Sequence, residues 1–336
     1  MMQISPETQL FIREHSSDDV RVLALQAKKY PDIDMPTAIT QIAGRKVAAE
    51  KIPSWWEIEK IWYPKHLSLE QCSSEITARY KARLLQGDSL TDLTGGFGID
   101  CSFLATGFKS TTYVERQEEL CEIAAHNFPV LNLNHINIKN EDGVTYLQAM
   151  SPVDCLFLDP ARRNEHGGKT VAISDCEPNV AELEELLLQK ANRVMIKLSP
   201  MLDLSLALKE LKQTQEVHIL SVNNECKELL ILLGQTSPTE ISSHCVNLST
   251  KGTQEEQHFV FTREQEQCSE CTYTDSLETY LYEPNASLLK AGAFRSIAAA
   301  YPVRKLHPNS HLYTSDTFIE NFPGRIFRIV NQCSFN

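Results

Sequence analysis

Between residues 88 and 262 short apolar runs alternate with helical runs, and no other feature of the sequence limits the fold as much. Strand-like runs fall at 89–93, 111–115, 135–138, 154–158, 193–198, 216–222 and 257–262, with helical stretches at 99–106, 117–127, 143–149, 179–190, 203–213 and 225–233. Strands separated by helices return in the same direction, which calls for a parallel sheet covered on both faces. Crossovers of this kind are right-handed, and ligands bind beyond the carboxyl ends of the strands. The expected class is α/β with seven strands. Asp92, Glu115, Asp142 and Asp159 end or follow strands at that edge.

The first strand runs into Asp92-Leu93-Thr94-Gly95-Gly96-Phe97-Gly98-Ile99-Asp100, a strand, a tight turn and a helix start. Glycine at 95, 96 and 98 permits positive φ and leaves bare backbone for a ligand, while the helix aims its unbonded N–H groups at the same place. Glu115 closes the next strand about twenty residues after Gly95, where a βαβ nucleotide fold puts the acid that accepts from ribose hydroxyls. The turn lacks Gly-x-Gly-x-x-Gly spacing, and no Gly-Lys-Ser/Thr follows it. A ligand with adenosine and no phosphates suits this pattern. Further on, Asp142 precedes Gly143 at a helix start, where an acid also serves as an N-cap.

Asp92 to Gly98 resembles motif I of class I S-adenosylmethionine-dependent methyltransferases, and Asp159-Pro160-Ala161-Arg162-Arg163 is similar to their motif IV. Together with residues 71–82, 197–204 and 282–292, these stretches resemble in order a bacterial family described as RNA methyltransferases with a THUMP-like C-terminal domain. The resemblance covers most of residues 50–310. It implies a Rossmann-like, seven-stranded class I methyltransferase sheet and S-adenosyl-L-methionine as cofactor. The residues it assigns to the cofactor are Asp92, Thr94, Gly95, Gly96, Gly98, Glu115, Asp142 and Gly143, with Ser73, Ser74 and Thr77 from the helix before motif I. That helix is expected to open on a capping box, Ser68-Leu69-Glu70-Gln71, and to run to about Leu85.

The apolar run Asp154 to Leu158 delivers Asp159 and Pro160 to the carboxyl edge. Methyl transfer from a sulfonium is an in-line displacement, so the enzyme has to align the acceptor. A base amine would need hydrogen-bond acceptors around its N–H groups: the Asp159 carboxylate and the carbonyls beside Pro160, whose ring fixes φ. Asp159, Pro160 and Arg162 are therefore the catalytic candidates. Ala161 and Arg162 stand where amine methyltransferases carry a second proline and an aromatic; the Arg162 guanidinium could stack on a base or pair with phosphate. Covalent C5 chemistry on uracil needs a cysteine after the next strand, which here ends Lys197-Leu198-Ser199-Pro200. Lys197 either approaches the acceptor or bonds a carbonyl.

A net charge of −12 opposes indiscriminate binding to nucleic acid, so an RNA contact has to be local. From 284 to 336 six cations face two acids, a local charge of +4 that includes Lys290, Arg295, Arg304 and Lys305. Arg163 and Lys169 add a basic loop beside the catalytic turn. RNA, ribosomal or transfer, is the expected partner. A protein or small-molecule methyltransferase, and a cofactor- and RNA-binding module without turnover, are the other readings.

The expected organisation is a helical module over 1–70, the methyltransferase domain over 71–262, a linker over 263–276 and a ferredoxin-like or THUMP-like α+β module over 277–336, incomplete if relatives continue further. Trp55, Trp56 and Trp62 either anchor the helical module or stack on bases. No run of eighteen apolar residues and no secretion signal is present, which points to a cytoplasmic chain without a membrane span. Ten cysteines read as reduced thiols, and the lone Cys268-Ser269-Glu270-Cys271 pair lacks a second, so no metal is expected. A monomer is expected.

Overall fold

A computed structural model describes residues 4–162, 172–236, 238–250 and 256–333. The chain divides into two compact units, Met1–Leu158 with Gln189–Asn192, and Asp159–Leu188 with Arg193–Asn336. Among the described residues no helix is long and apolar enough to cross a membrane.

The first unit begins with helices α1 (Pro6–Glu14), α2 (Val20–Leu25), α3 (Met35–Lys51), α4 (Pro53–Trp56), α5 (His66–Gln71) and α6 (Glu75–Ala82). Asp19 caps α2 and Asp34 caps α3, each accepting a backbone N–H. One long helix from Ser68 does not form: the chain breaks at Cys72–Ser74 between α5 and α6, and Lys65, not Ser68, holds the N-cap position of α5. Trp55 packs edge-to-face on Phe97, 5.2 Å between centroids, and Trp62 lies flat on His126 at 3.7 Å. These two rings are packing anchors; Trp56 is exposed beneath the Arg45 guanidinium.

β1 (Ser89–Asp92), α7 (Ile99–Leu104), β2 (Ser110–Glu115), α8 (Glu118–Val130), β3 (Ile136–Asn140), α9 (Gly143–Ala149) and β4 (Val153–Leu158) complete this unit. Its strands run parallel in the order β3-β2-β1-β4. Because β1 lies between β2 and β4, the turn after Asp92 sits at the middle of this set. Asp92 is opposite Tyr113 on one side and Phe157 on the other.

The second unit holds β5 (Ala161–Arg162), β6 (Cys176–Glu177), α10 (Val180–Lys190) as far as Leu188, β7 (Ala191–Leu198) from Arg193 on, α11 (Leu204–Glu210), β8 (Thr214–Val222), β9 (Glu225–Gly234), β10 (Ser242–Leu248), β11 (Glu256–Thr262) and α12 (Arg263–Cys268). Its large strands follow the order β7-β9-β8-β10-β11, with β8 and β10 parallel and the other neighbours antiparallel. With four strands in the first unit and five here, the count is nine and not the seven expected. Two readings account for the difference. The stretch 225–233, read as a helix, is strand β9, and β10 went unread. Leu229 to Leu233 are all fully buried, so the run has no polar face to give a helix away from a strand. Asn223 and Asn224, with φ of +49° and +67°, form the two-residue turn of a β8–β9 hairpin.

Residues 263–276 are not only a linker. Thr262 and Gln265 form a capping box that starts α12. The Glu266 carboxylate on that helix accepts the N–H groups of Phe294, Arg295 and Ser296, at 3.0, 2.8 and 2.9 Å. The chain ends in β12 (Tyr280–Pro284), α13 (Ala286–Ala291), α14 (Arg295–Ala300), β13 (Arg304–Lys305), β14 (Tyr313–Ser315) and β15 (Gly324–Arg328), an antiparallel sheet of order β13-β14-β12-β15 with two short helices. Gly292, with φ of +76°, ends α13 in the left-handed conformation ahead of α14.

Candidate active site

Asp92 is almost wholly buried, and its Oδ1 accepts the Thr94 N–H at 3.0 Å. That bond starts the turn. Gly95 donates to the Val114 carbonyl at 2.8 Å and Gly98 to the Gly95 carbonyl at 2.9 Å, which closes it. Gly95 must be glycine because a Cβ there would lie 2.2 Å from the Tyr113 ring, whose hydroxyl donates to the Gly96 carbonyl. Gly98 caps α7 with φ +87°, a conformation that favours glycine.

Gly96, at φ +55°, donates its N–H to Glu115 Oε2 at 2.8 Å, and Glu115 Oε1 accepts the Gln117 N–H at 2.8 Å. The buried Glu115 carboxylate thus joins the glycine turn to the end of β2, and each oxygen retains capacity for a second donor. A Cβ on Gly96 would approach only the Thr94 carbonyl, at 3.7 Å, so this side of the turn is open. Asp142 Oδ1 caps α9 by accepting from the Val144 and Thr145 N–H groups, both at 3.0 Å. A Cβ on Gly143 would lie 2.2 Å from the Leu93 carbonyl oxygen. Backbone cannot yield as a side chain can, so Gly143→Ala is expected to destabilise the protein by about 1–3 kcal/mol. Chemical denaturation checks this, and an unchanged midpoint would contradict the close approach.

The first unit therefore brings together Asp92, Thr94, Gly95, Gly96, Gly98, Glu115 and Gly143, with Asp142 exposed at the start of α9. Ser74 and Thr77 bond each other at the start of α6: their hydroxyls are 3.3 Å apart, and Thr77 donates to the Ser74 carbonyl at 3.1 Å. Sequence reasoning missed the more consequential contact of this helix. Lys81 is fully buried, with its ammonium 3.0 Å from Asp100 Oδ1 and donating to Ser73 Oγ at 2.9 Å, while Ser73 donates to Asp100 Oδ2 at 2.7 Å. Asp100 is the second residue of α7, so this triad holds α6 against the helix that the glycine turn begins. The available signal was a lysine on the inward face of a helix, together with an acid just after the turn.

In the second unit Asp159 and Pro160 follow directly on β4, and Ala161–Arg162 pair with Cys176–Glu177 as β5 and β6. Asp159 Oδ2 lies 2.5 Å from Lys197 Nζ; the lysine side chain is 9% exposed and the aspartate 37%. Lys197 thus lies against the catalytic candidate. Pro160 is buried, and Arg162 lies in β5. Arg163 and Lys169 fall outside the described residues.

The basic C-terminal set is mostly engaged within the protein. Lys305 is 3% exposed, donates to the Pro308 carbonyl at 2.8 Å and sits over the Phe294 ring, so it is a buried structural cation and offers no surface to RNA. Lys290 donates to the Leu202 carbonyl at 2.8 Å, and Arg304 pairs with Glu278. Arg295 is exposed and bonds the Gln267 carbonyl at 3.1 Å.

The crystal structure of a "putative methyltransferase" from Porphyromonas gingivalis W83 matches 98% of this chain and 84% of its own, at 34% identity and a TM-score of 0.85. The chain belongs to this methyltransferase family. A ferredoxin-like domain family matches residues 280–323 of the methyltransferase, the stretch from β12 to just before β15. Partial likeness extends to an rRNA methylase from Streptococcus thermophilus (14% identity, 47% of this chain and 93% of that one, TM-score 0.34) and to a Streptococcus mutans "putative methyltransferase in complex with SAH" (14%, 48% and 96%, 0.34). These partial overlaps say nothing of the substrate. No curated protein sequence matches the chain.

Proposed function

We propose that this methyltransferase uses S-adenosyl-L-methionine to methylate a base amine in RNA. The observation that carries the cofactor part is the Glu115 carboxylate bound to the Gly96 N–H at the open side of the glycine turn. Residues 92–98 contain no lysine or arginine, and the carboxylates of Glu115, bonded to Gly96, and of Asp142, beside the Gly143 that lies against Leu93, are acceptors near them. Such a set fits a ligand rich in hydroxyl and amine donors and poor in phosphate. Asp92, Thr94, Gly95, Gly96 and Gly98 would hold the cofactor, with Glu115 at the ribose and Asp142 and Gly143 at the adenine. When bound, the cofactor supplies an electrophilic methyl group on sulfur.

The protein's own part is alignment. Asp159 accepts from the acceptor amine, Pro160 fixes the carbonyls beside it, and Arg162 stacks on the base or meets a phosphate. Lys197 keeps the Asp159 carboxylate in one orientation through its 2.5 Å contact. With the acceptor nitrogen held in line by Asp159 and Pro160, it would take the methyl group that the cofactor supplies, and its proton would pass to the Asp159 carboxylate and on to solvent.

We place the RNA contact on Arg163, Lys169 and Arg295, with Lys290 and Arg304 reached only if they give up their present partners; the flanking modules, 1–70 and 277–336, would position the RNA. Transfer of labelled methyl from S-adenosylmethionine to total bacterial RNA tests the proposal. Label that disappears on RNase treatment and survives protease supports it, whereas label that survives RNase and is lost with protease assigns a protein substrate. Glu115→Ala is expected to weaken cofactor binding by about 1.5–3 kcal/mol, the range for hydrogen bonds to a charged group. Unchanged affinity by calorimetry would remove Glu115 from the site.

A further inference from the structure

Three strands of the second unit bring histidines to one face of the sheet. Glu216 and His218 lie two residues apart on β8, so their side chains share a face. His244 on β10 is directly opposite His218 in the parallel register, and His258 is on β11. Glu216 Oε2 and His218 Nε2 are 3.3 Å apart, and one donor atom from each of Glu216, His218 and His244 lies within 4.8 Å of the other two. His244 turns Nδ1 towards His258 Nε2, at 3.2 Å. The second oxygen of Glu216 accepts from Arg193 at 2.9 Å.

We propose that Glu216, His218 and His244 form a binding site for one divalent transition-metal ion of the zinc type. Imidazole and carboxylate are the ligand classes that such ions take. With metal–ligand bonds of about 2.0–2.1 Å, two ligands of a tetrahedral site stand about 3.3 Å apart, which is the Glu216–His218 separation seen here. The partners beyond the three ligands also suit a metal site. Arg193 orients the carboxylate, and His258 lies beside His244, 3.2 Å from its Nδ1. His218 and His244 now lie face to face, 4.3 Å apart and inclined by 14°, so binding requires the half-exposed His244 ring to turn about χ2. An ion there would clip β8 to β10. The inference is independent of methyl transfer.

Cobalt(II) is the probe, because its visible spectrum distinguishes nitrogen and oxygen ligands from the thiolates of this cysteine-containing chain. Titration of the chelator-treated full chain should show one saturable equivalent with d–d absorption and no thiolate charge-transfer band. His244→Ala and Glu216→Gln should each weaken binding about tenfold or more, while Cys268→Ser should leave it unchanged. His244 is only half buried, and Glu216→Gln preserves shape, so neither variant depends on replacing the buried His218. Absence of saturable binding, a thiolate band, or equal affinity in wild type and both variants would overturn the assignment.

Discussion

Asp159→Ala is expected to lower methyl transfer by about 10²-fold or more, the scale of losing alignment of the acceptor, while cofactor affinity stays within a factor of about two. The separation follows from chain position. Asp159 begins the second unit, whereas the glycine turn, Glu115 and Gly143 all belong to the first. Lys197→Met should reproduce part of the loss, because the carboxylate then has no ammonium to hold it 2.5 Å away. Single-turnover incorporation of labelled methyl, measured beside calorimetric cofactor binding, separates the two effects. If Asp159→Ala retained full transfer, acceptor alignment would have to come from elsewhere.

Lys81→Ala should destabilise the fold by about 3–5 kcal/mol, since it leaves the Asp100 carboxylate without its buried ammonium. The neutral pair Lys81→Met with Asp100→Leu should recover much of that loss, because replacing both charges removes the desolvation cost along with the attraction. Denaturant unfolding of the two variants checks the comparison. Equal stability of wild type and Lys81→Ala would mean that the triad contributes little. Because Asp100 is the second residue of α7, weaker cofactor binding by folded Lys81→Ala would extend the effect of the triad to the glycine turn.

The parts of this protein legible in the sequence are those in which local chemistry and tertiary contacts agree. Gly95, Gly96 and Gly98 announced a turn, and each has a steric or conformational reason in the structure: the Tyr113 ring, an open backbone face and a left-handed helix cap. The strands at Asp92, Glu115 and Asp159 lie almost where the sequence places them, because each is short and ends at or just before an acid. Strand β9 was lost for the opposite reason. Leu229 to Leu233 are buried on both faces, and a uniformly apolar run has no period. The Asn223-Asn224 pair was the remaining clue, and an asparagine before a leucine run looks equally like a helix cap.

Long-range pairings were not legible. Lys81, Ser73 and Asp100 come from three places in the chain, and Glu216, His218, His244 and His258 span more than forty residues without any metal-ligand spacing. Charge counting was misleading at the C-terminus, because it cannot separate a solvated cation from one such as Lys305, bound to a carbonyl beneath a ring. Burial decides that, and composition does not record burial.

Isothermal titration of the purified protein with S-adenosylmethionine, with NAD as the control, tests the central claim most directly. The geometry of the glycine turn predicts saturable one-to-one binding of S-adenosylmethionine and none of NAD, whose pyrophosphate finds no Gly-x-Gly-x-x-Gly backbone and no cation at residues 92–98. Heat from NAD alone, or from neither ligand, would contradict it.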